Sequence, residues 1–373
     1  MMKSVLISVI LHGFVASAVA QSASDILIGV SLPLSGPGAA AGKEGQAVMQ
    51  AYIDSVNKAG GIQGKRIVLR VLDDEFNPQK AADNARQLAN DKVVALFNCW
   101  GTSSCSAMLP VASEYSVPLI AGIAGSGPMR TQPGHFVFNV RPTTSAEIAR
   151  MVEQMVVGGQ TRIAVVYQKD AFGQSALAAA QEVLAKAGIK PTGEVALSAD
   201  ASDVPAVLEA LKKGAPNGVV LLASSRSTVA LITQARRSGL AVPIYNLAAQ
   251  ANQRVATDLG EYTGNVIFTT VVPSPARVAL PVVNEYRKLY AAVSGSGEFS
   301  YLGLETFINT RILVEGLRHA GRDQSREGLV TALETMGAKT FGDVVSVKYG
   351  PNRRDGSSFV GLAIVDRQGR FRE

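Results

Sequence analysis

The sequence predicts an α/β protein built as two successive series of buried strands and amphipathic helices. Three observations carry this. Apolar runs such as Ile26 to Leu34 alternate with stretches whose apolar residues fall at helical spacing, the grammar of a parallel sheet. The pattern breaks at Arg141-Pro142-Thr143-Thr144 and then restarts. A chain of 373 residues that is 47% hydrophobic and 18% charged also has the apolar material for more than one core, and is the opposite of a disordered composition.

In the first series, Ile26 to Leu34 reads as a strand. Lys43 to Ala59 reads as a helix with Val48, Met49, Tyr52, Ile53 and Val56 on one face, stopped by Gly60-Gly61. Strand Ile67 to Leu72 leads to Asn77-Pro78, a capping side chain followed by a proline at the first helical position, which opens helix Gln79 to Asn90. Strand Val93 to Phe97 leads to a helix from about Ser103, and strand Pro118 to Ala121 and extended Phe136 to Val140 close the series.

The second series opens with Ile148, Met151, Val152, Met155 and Val156 at helical spacing. Strand Ile163 to Tyr167, helix Phe172 to Ala187 before Gly188, strand Val195 to Leu197 and helix Val204 to Lys213 follow. Strand Gly218 to Leu222, helix Ser227 to Ser238 before Gly239, and strands Ile244-Tyr245 and Val266 to Val271 complete it, and Pro273-Ser274-Pro275 breaks the pattern again. Beyond lie helices Pro281 to Ala292, Tyr301 to Ala320 and Arg326 to Met336, with strand-like Val344 to Tyr349 and Phe359 to Asp366. Two strands are too few for a third α/β unit, so this tail is expected to complete the first two.

The first twenty residues read as an export address. Lys3 supplies a charge, Ser4 to Val19 an apolar run, and Ala18-Val19-Ala20 the small residues of a cleavage site before Gln21. The run is short and interrupted by Ser8, His12, Gly13 and Ser17, which argues against a membrane anchor, and no cysteine follows it for a lipid. Cleavage removes Lys3 and lowers the formal net charge of +6 by one. The basic residues lie scattered or in short pairs such as Arg236-Arg237, with no stripe for a phosphate backbone, so no nucleic-acid partner is expected. In an oxidising compartment Cys99 and Cys105 can form a disulfide closing a short loop; the alternative is a pair of small buried thiols.

The sequence offers no catalytic constellation. Past the leader the chain has His135 and His319, neither near a nucleophile motif, and G-x-S-x-G, H-E-x-x-H and C-x-x-C are absent. The run Gly38 to Glu44 is one residue short of a phosphate loop, with Glu44 where a hydroxyl is needed, and Gly122 to Gly127 lacks the dinucleotide fingerprint, so no cofactor is expected. Asp73-Asp74-Glu75 reads as a solvated strand end rather than a cation site, since no further oxygen ligands follow at the right spacing, and no metal is expected.

What remains is a set of polar or glycine-rich loops after successive strands, where open α/β sheets bind small ligands. Ser35-Gly36-Pro37-Gly38, Cys99-Trp100-Gly101-Thr102-Ser103-Ser104 and Gly122 to Gly127 come from the first series. Gln168 to Gly173, Ser224-Ser225-Arg226 and Leu247-Ala248-Ala249-Gln250 come from the second.

The order of these pieces resembles the periplasmic branched-chain amino-acid-binding family, the leucine-binding-protein-like type I solute-binding proteins of ABC importers. The resemblance rests on Ile28-Gly29-Val30 with Leu34 to Pro37, Asn57 to Gly64, Asp73 to Pro78, Phe138-Asn139-Val140-Arg141 and Tyr167 to Gly173, and spans the mature chain. It implies two Rossmann-like lobes joined by three crossovers near residues 142, 275 and 342. Residues 21–141 with 276–341 would form one lobe and 142–275 with 342–373 the other, with ligand enclosed between them. It implies that Ser103, Ser104, Gly125 and Ser126 hold a ligand carboxylate, which suits a helix N-terminus, although Ser103 could simply cap the helix. Ala124 would offer its carbonyl or a wall. Phe172 would cover the ligand or pack in the core, and Trp100 would line the cleft floor or close the strand end. Ser35, Thr102 and Gln250 stand in the same loops. Members selective for leucine or valine carry an acid after the strand matching Ile244-Tyr245, and Leu247 to Gln250 has none, which argues against an ordinary α-amino acid. A hydrophobic or aromatic carboxylate fits better, with Arg226 either a positive group for it or a surface residue. The implied role is capture of a small amino-acid-like or hydrophobic carboxylate and delivery to an ABC permease by hinge closure, without catalysis or membrane insertion. The alternative is a sensor for a membrane receptor, favoured if neighbouring genes encode a kinase or chemoreceptor and no permease.

Overall fold

The computed structural model describes residues 25–36, 38–125, 127–295, 298–342, 344–366 and 368–373. The export address at residues 1–20, and Pro37 and Ser126 in the candidate loops, lie outside the described residues. The first series comprises β1 (Ile26–Leu32), α1 (Ala39–Lys58), β2 (Ile67–Asp73), α2 (Pro78–Asn90), β3 (Ala95–Phe97), α3 (Thr102–Glu114), β4 (Leu119–Ile120), the single turn α4 (Pro128–Thr131) and β5 (Val137–Phe138). The second comprises α5 (Thr144–Val157), β6 (Ile163–Gln168), α6 (Ala171–Lys186), β7 (Gly193–Leu197), α7 (Val204–Gly214), β8 (Gly218–Leu222), α8 (Ser225–Arg237), β9 (Ile244–Asn246), α9 (Gln253–Leu259) and β10 (Val266–Thr270). The tail adds α10 (Pro281–Ser294), α11 (Tyr301–Ala320), α12 (Arg326–Thr335), β11 (Lys339–Phe341), β12 (Val345–Val347), β13 (Gly361–Val365) and β14 (Phe371–Arg372).

Helix starts follow the chemistry of their caps. The Asn77 side chain accepts from the Gln79 and Lys80 N–H groups with Pro78 at the first position, as the sequence predicts. Thr143 accepts from Ala146 N and starts α5 at Thr144, four residues before the first apolar position that marked it in the sequence. Helix α1 begins at Ala39 after Gly38, whose φ of 88° only glycine adopts easily; no polar capping side chain announces that start.

The two series form two parallel sheets of one design. The first has the order β2-β1-β3-β4-β5, and the second repeats it as β7-β6-β8-β9-β10 before adding β13 and β14 antiparallel at its edge. In both, the order reverses beside the first strand, so the loops leaving β1 and β3, and those leaving β6 and β8, flank the crevice where such sheets take ligands. Helices α1, α10 and α11 cover one face of the first sheet, with Tyr52 edge-on to Phe307, while α2 and α3 cover the other. Helices α5 and α6 pack on one face of the second sheet and α7 and α8 on the other.

The tail departs from expectation at one place. A crossover near residue 342 falls inside the hairpin of β11 and β12, which pair with each other and not with the second sheet. The chain then runs beside β5, where Asn139 N donates to Arg354 O and Gly356 N to Asn139 O, and it joins the second sheet only at Gly361. Unpaired main-chain groups beside Asn139 and Val140 supply partners for residues 354–357, and a strand-like sequence does not say which sheet it will join.

Candidate functional site

The site is built where the two sheets present the carboxyl ends of their strands to each other. Trp100, Ile123, Tyr301 and Glu305 from the first lobe and Ala248, Asn252 and Val271 from the second line a small enclosed cavity, with Arg141 of the first crossover between them. Its volume is about 10 Å³, room for roughly one water, so anything larger enters only when the lobes separate. They touch here: Gly127 N donates to Ser175 Oγ at 3.0 Å, and Thr144 N donates to Gly125 O at 2.6 Å.

A charged network fixes the back of the cleft. Arg141 donates from Nε and Nη2 to both Glu305 oxygens at 2.9 and 3.0 Å, and from Nη1 to Glu147 at 3.4 Å. The other Glu147 oxygen accepts from Ala248 N at 2.8 Å and Thr269 Oγ1 at 2.5 Å. All three charged side chains are buried. Burial works against the charged guanidinium of Arg141, but the two carboxylates more than offset it and hold its pKa above the ordinary value. The network thus ties α11 of the first lobe to α5, the loop after β9 and β10 of the second through the crossover.

The loop after β3 is held from below. Cys99 and Cys105 form a disulfide with Cα atoms 5.5 Å apart, bracketing Trp100, Thr102, Ser103 and Ser104. A Cβ on Gly122 would lie 2.9 Å from Cys99 Sγ, so the bridge packs directly under the β4 loop. Replacing both cysteines by alanine is expected to lower the unfolding free energy by about 2 kcal/mol, the entropy of a closed loop this short, as read from urea unfolding of oxidised wild type beside the variant. Equal stability would show that the bridge does not constrain the loop.

Ser103 and Ser104 stand in the first turn of α3, the former exposed and the latter buried. Capping by Ser103 is overturned: the helix begins at Thr102, and its N-cap residue Gly101 has no side chain to cap with. First-turn N–H groups have no intrahelical partner, so this helix end offers the Ser103 and Ser104 amides and a positive dipole end to an anion. Thr102 is buried beside the β4 loop, where a Cβ on Gly127 would meet its Cγ2 at 2.7 Å. Gly125 lies against Thr144, whose Oγ1 would be 2.6 Å from a Cβ there.

Other candidates are engaged elsewhere. Both Nε and Nη2 of buried Arg130 donate to the Ala124 carbonyl, at 3.1 and 2.7 Å, so Ala124 offers a wall and not an acceptor. The Ser35 hydroxyl is exposed and donates to Asp73 at 2.6 Å, making Ser35 a latch for the β1 loop. Phe172 is half-buried and packs on the second-lobe core at the start of α6. Gln250 is buried, its carbonyl accepting from Ser225 Oγ at 2.6 Å. Arg226 is exposed and lines an open groove with Arg237, Arg254 and Asp258, apart from the inter-lobe cavity. Arg141, Glu147, Tyr301, Asn252 and Glu305 carry no role in the sequence reading. The available signal was a charge inside an otherwise apolar helix stretch, Leu304-Glu305-Thr306-Phe307.

Asp73 and Asp74 organise the rim rather than bind a cation. Asp73 accepts from Ser35 Oγ and from the Leu34, Ser35 and Glu75 amides, and the Ser35 hydroxyl first among these holds its pKa down at about 2. Asp74, expected at a solvated strand end, is buried, which pushes its pKa up, and accepts from Ser31 Oγ and Phe76 N. Asp73 is therefore expected to contribute stability that is complete above its ordinary pKa of 3.8 and is lost as pH falls through about 2. Unfolding midpoints of wild type and Asp73→Asn between pH 5 and pH 2 should converge as the acid limit is approached; parallel curves would remove Asp73 from the account.

Among the described residues no group of three or more acidic, histidine or cysteine side chains is placed to hold a metal, and no helix is long and apolar enough to cross a membrane.

Comparison with known proteins gives a consistent set. A family model described as periplasmic binding protein matches residues 25–359. Leu/Ile/Val-binding protein homolog 3 of Brucella melitensis is 28% identical over 202 residues, 54% of this chain and 54% of that one, so the match spans about half the length of that relative. A substrate-binding periplasmic protein from Ralstonia solanacearum superposes with a TM-score of 0.84 at 28% identity, covering 93% of this chain and 99% of that one. A possible leucine/isoleucine/valine-binding protein from Rhodopirellula baltica SH 1 superposes with a TM-score of 0.86 at 24% identity, covering 95% and 98%.

Proposed function

Because this chain belongs to the periplasmic binding protein family, a family of solute-binding proteins rather than enzymes, we propose that it captures a small amino-acid-like or hydrophobic carboxylate between its lobes and presents it to an ABC permease. The observation that carries this reading is the start of α3, a helix end whose N-cap is the side-chain-less Gly101 and which directly follows Trp100, a residue lining a cavity bordered by both lobes. The anion would rest on the first-turn amides and serine hydroxyls, and the apolar body of the ligand against Trp100, Ile123 and Val271.

Capture is a population shift. Open lobes expose two half-sites, a ligand touches both only when they close, and that difference in contact energy drives closure about the crossovers. A free α-amino acid also needs a partner for its ammonium. The loop after β9 supplies none, and Glu147 and Glu305 are engaged by Arg141, Ala248 and Thr269. An acid without a cationic group therefore suits the cleft better.

A thermal-shift screen across branched-chain amino acids, aromatic acids, keto acids and amides tests this, since a ligand at 100 times its dissociation constant adds about 2.7 kcal/mol. The expected result is stabilisation by at least one carboxylic acid lacking an ammonium. Stabilisation by free amino acids alone would contradict the reading of the missing counter-charge, and stabilisation only by compounds without a carboxylate would contradict the anion site.

A further inference from the structure

Two consecutive residues on the β2–α2 loop, Glu75 and Phe76, have φ of 54° and 59°, the left-handed region that side chains other than glycine and asparagine avoid. Carboxylates hold them there: Glu75 N donates to Asp73 and Phe76 N to Asp74, both at 2.9 Å. Such backbone persists only where its surroundings over-determine it, and such places concentrate at functional sites. Its consequence is that Phe76 does not enter the core. The side chain stays 46% exposed, and its ring lies edge-on to Trp100 with centroids 6.1 Å apart.

Two glycines make room for this pair. A Cβ on Gly101 would be 2.7 Å from Phe76 Cε2, and one on Gly38 would be 3.0 Å from Trp100 Cζ3. Both have φ near 88°, so side chains are disfavoured there twice over. The indole is therefore clasped between the β1 loop and Phe76 while it lines the inter-lobe cavity, where Tyr301 stands as a further aromatic. An exposed phenylalanine is thus held by strained backbone against the tryptophan that lines the cavity.

We infer that Phe76 is a specificity-determining residue, which with Trp100 selects ligands whose carboxylate is attached to an aromatic ring or a short ring-bearing chain. This rests on the carboxylate-capture reading above and narrows it to one ligand class. A ring adds to an existing edge-on pair with favourable quadrupole geometry, a gain that an aliphatic chain of equal area lacks.

Calorimetric titration of the mature protein tests it, with 4-hydroxybenzoate, phenylacetate and phenylpyruvate as ring-bearing probes and 4-methyl-2-oxopentanoate and leucine as aliphatic ones. Trp100, the only tryptophan in the chain, gives a second readout by its fluorescence. The expected result is binding of at least one ring-bearing acid, weakened about tenfold by Phe76→Ala, kept within about twofold by Phe76→Tyr, and accompanied by a change in Trp100 emission. Ring-bearing acids binding Phe76→Ala as tightly as wild type, or binding by aliphatic acids alone, would overturn the inference while leaving carboxylate capture standing. Failure of all the acids when an amide or other neutral compound binds would overturn both.

Discussion

Replacing Arg141 by alanine is expected to lower the free energy of unfolding by about 3–5 kcal/mol, the cost of leaving buried charge without its partner. Glu305 would lose both of its charged hydrogen bonds, and Glu147 would keep only the Ala248 amide and the Thr269 hydroxyl. Two buried carboxylates would then face each other's field with no cation between them. Glu305→Gln should cost less, because the amide still offers Arg141 one acceptor and Glu147 remains its counter-charge. Equilibrium urea unfolding of the three proteins decides the matter. A loss below about 1 kcal/mol for Arg141→Ala would mean that the network is no more than a surface pair in effect.

Gly173→Ala is the second large effect, at about 3 kcal/mol. A methyl at Gly173 would stand 1.9 Å from Gln168 O and 2.7 Å from Gln168 C and N, all main-chain atoms that cannot swing aside. The first turn of α6 would have to move away from the end of β6, breaking the Asp170 cap on Gly173 N and carrying Phe172 with it. Gly188→Ala is the control. There φ is 69° and nothing lies within 4 Å, so only the backbone penalty of about 1 kcal/mol applies. Similar unfolding midpoints for the two variants would remove the steric argument.

Much of the architecture is legible in the sequence because it depends on local pattern. The restart after Arg141 to Thr144, the Asn77-Pro78 helix opening and the glycine stops all report short-range chemistry, and the strands and helices they delimit recur in the structure. What the sequence hides depends on distant partners. Nothing in Asn139 or Gly356 says that they will pair, so the last passage between lobes is misplaced near 342. The candidate site divides the same way. The loops after β1, β3 and β4 are found because they follow strands, while the occupation of the Ala124 carbonyl by Arg130, of Ser35 by Asp73 and of Glu305 by Arg141 arises only on folding. Phe76 is the instructive case: an aromatic in a turn carries no periodic signal, and only its positive φ and its ring contact with Trp100 give it meaning.

Capture of this kind requires two matching halves to close on the ligand. Small-angle scattering of the mature protein, alone and saturated with the tightest acid from the thermal screen, tests this most directly. Bound protein is expected to be more compact, with a smaller radius of gyration and a profile matching the structure in which Gly127 meets Ser175 across the cleft. Identical profiles at verified saturation, with the free protein already as compact as the bound one, would contradict it.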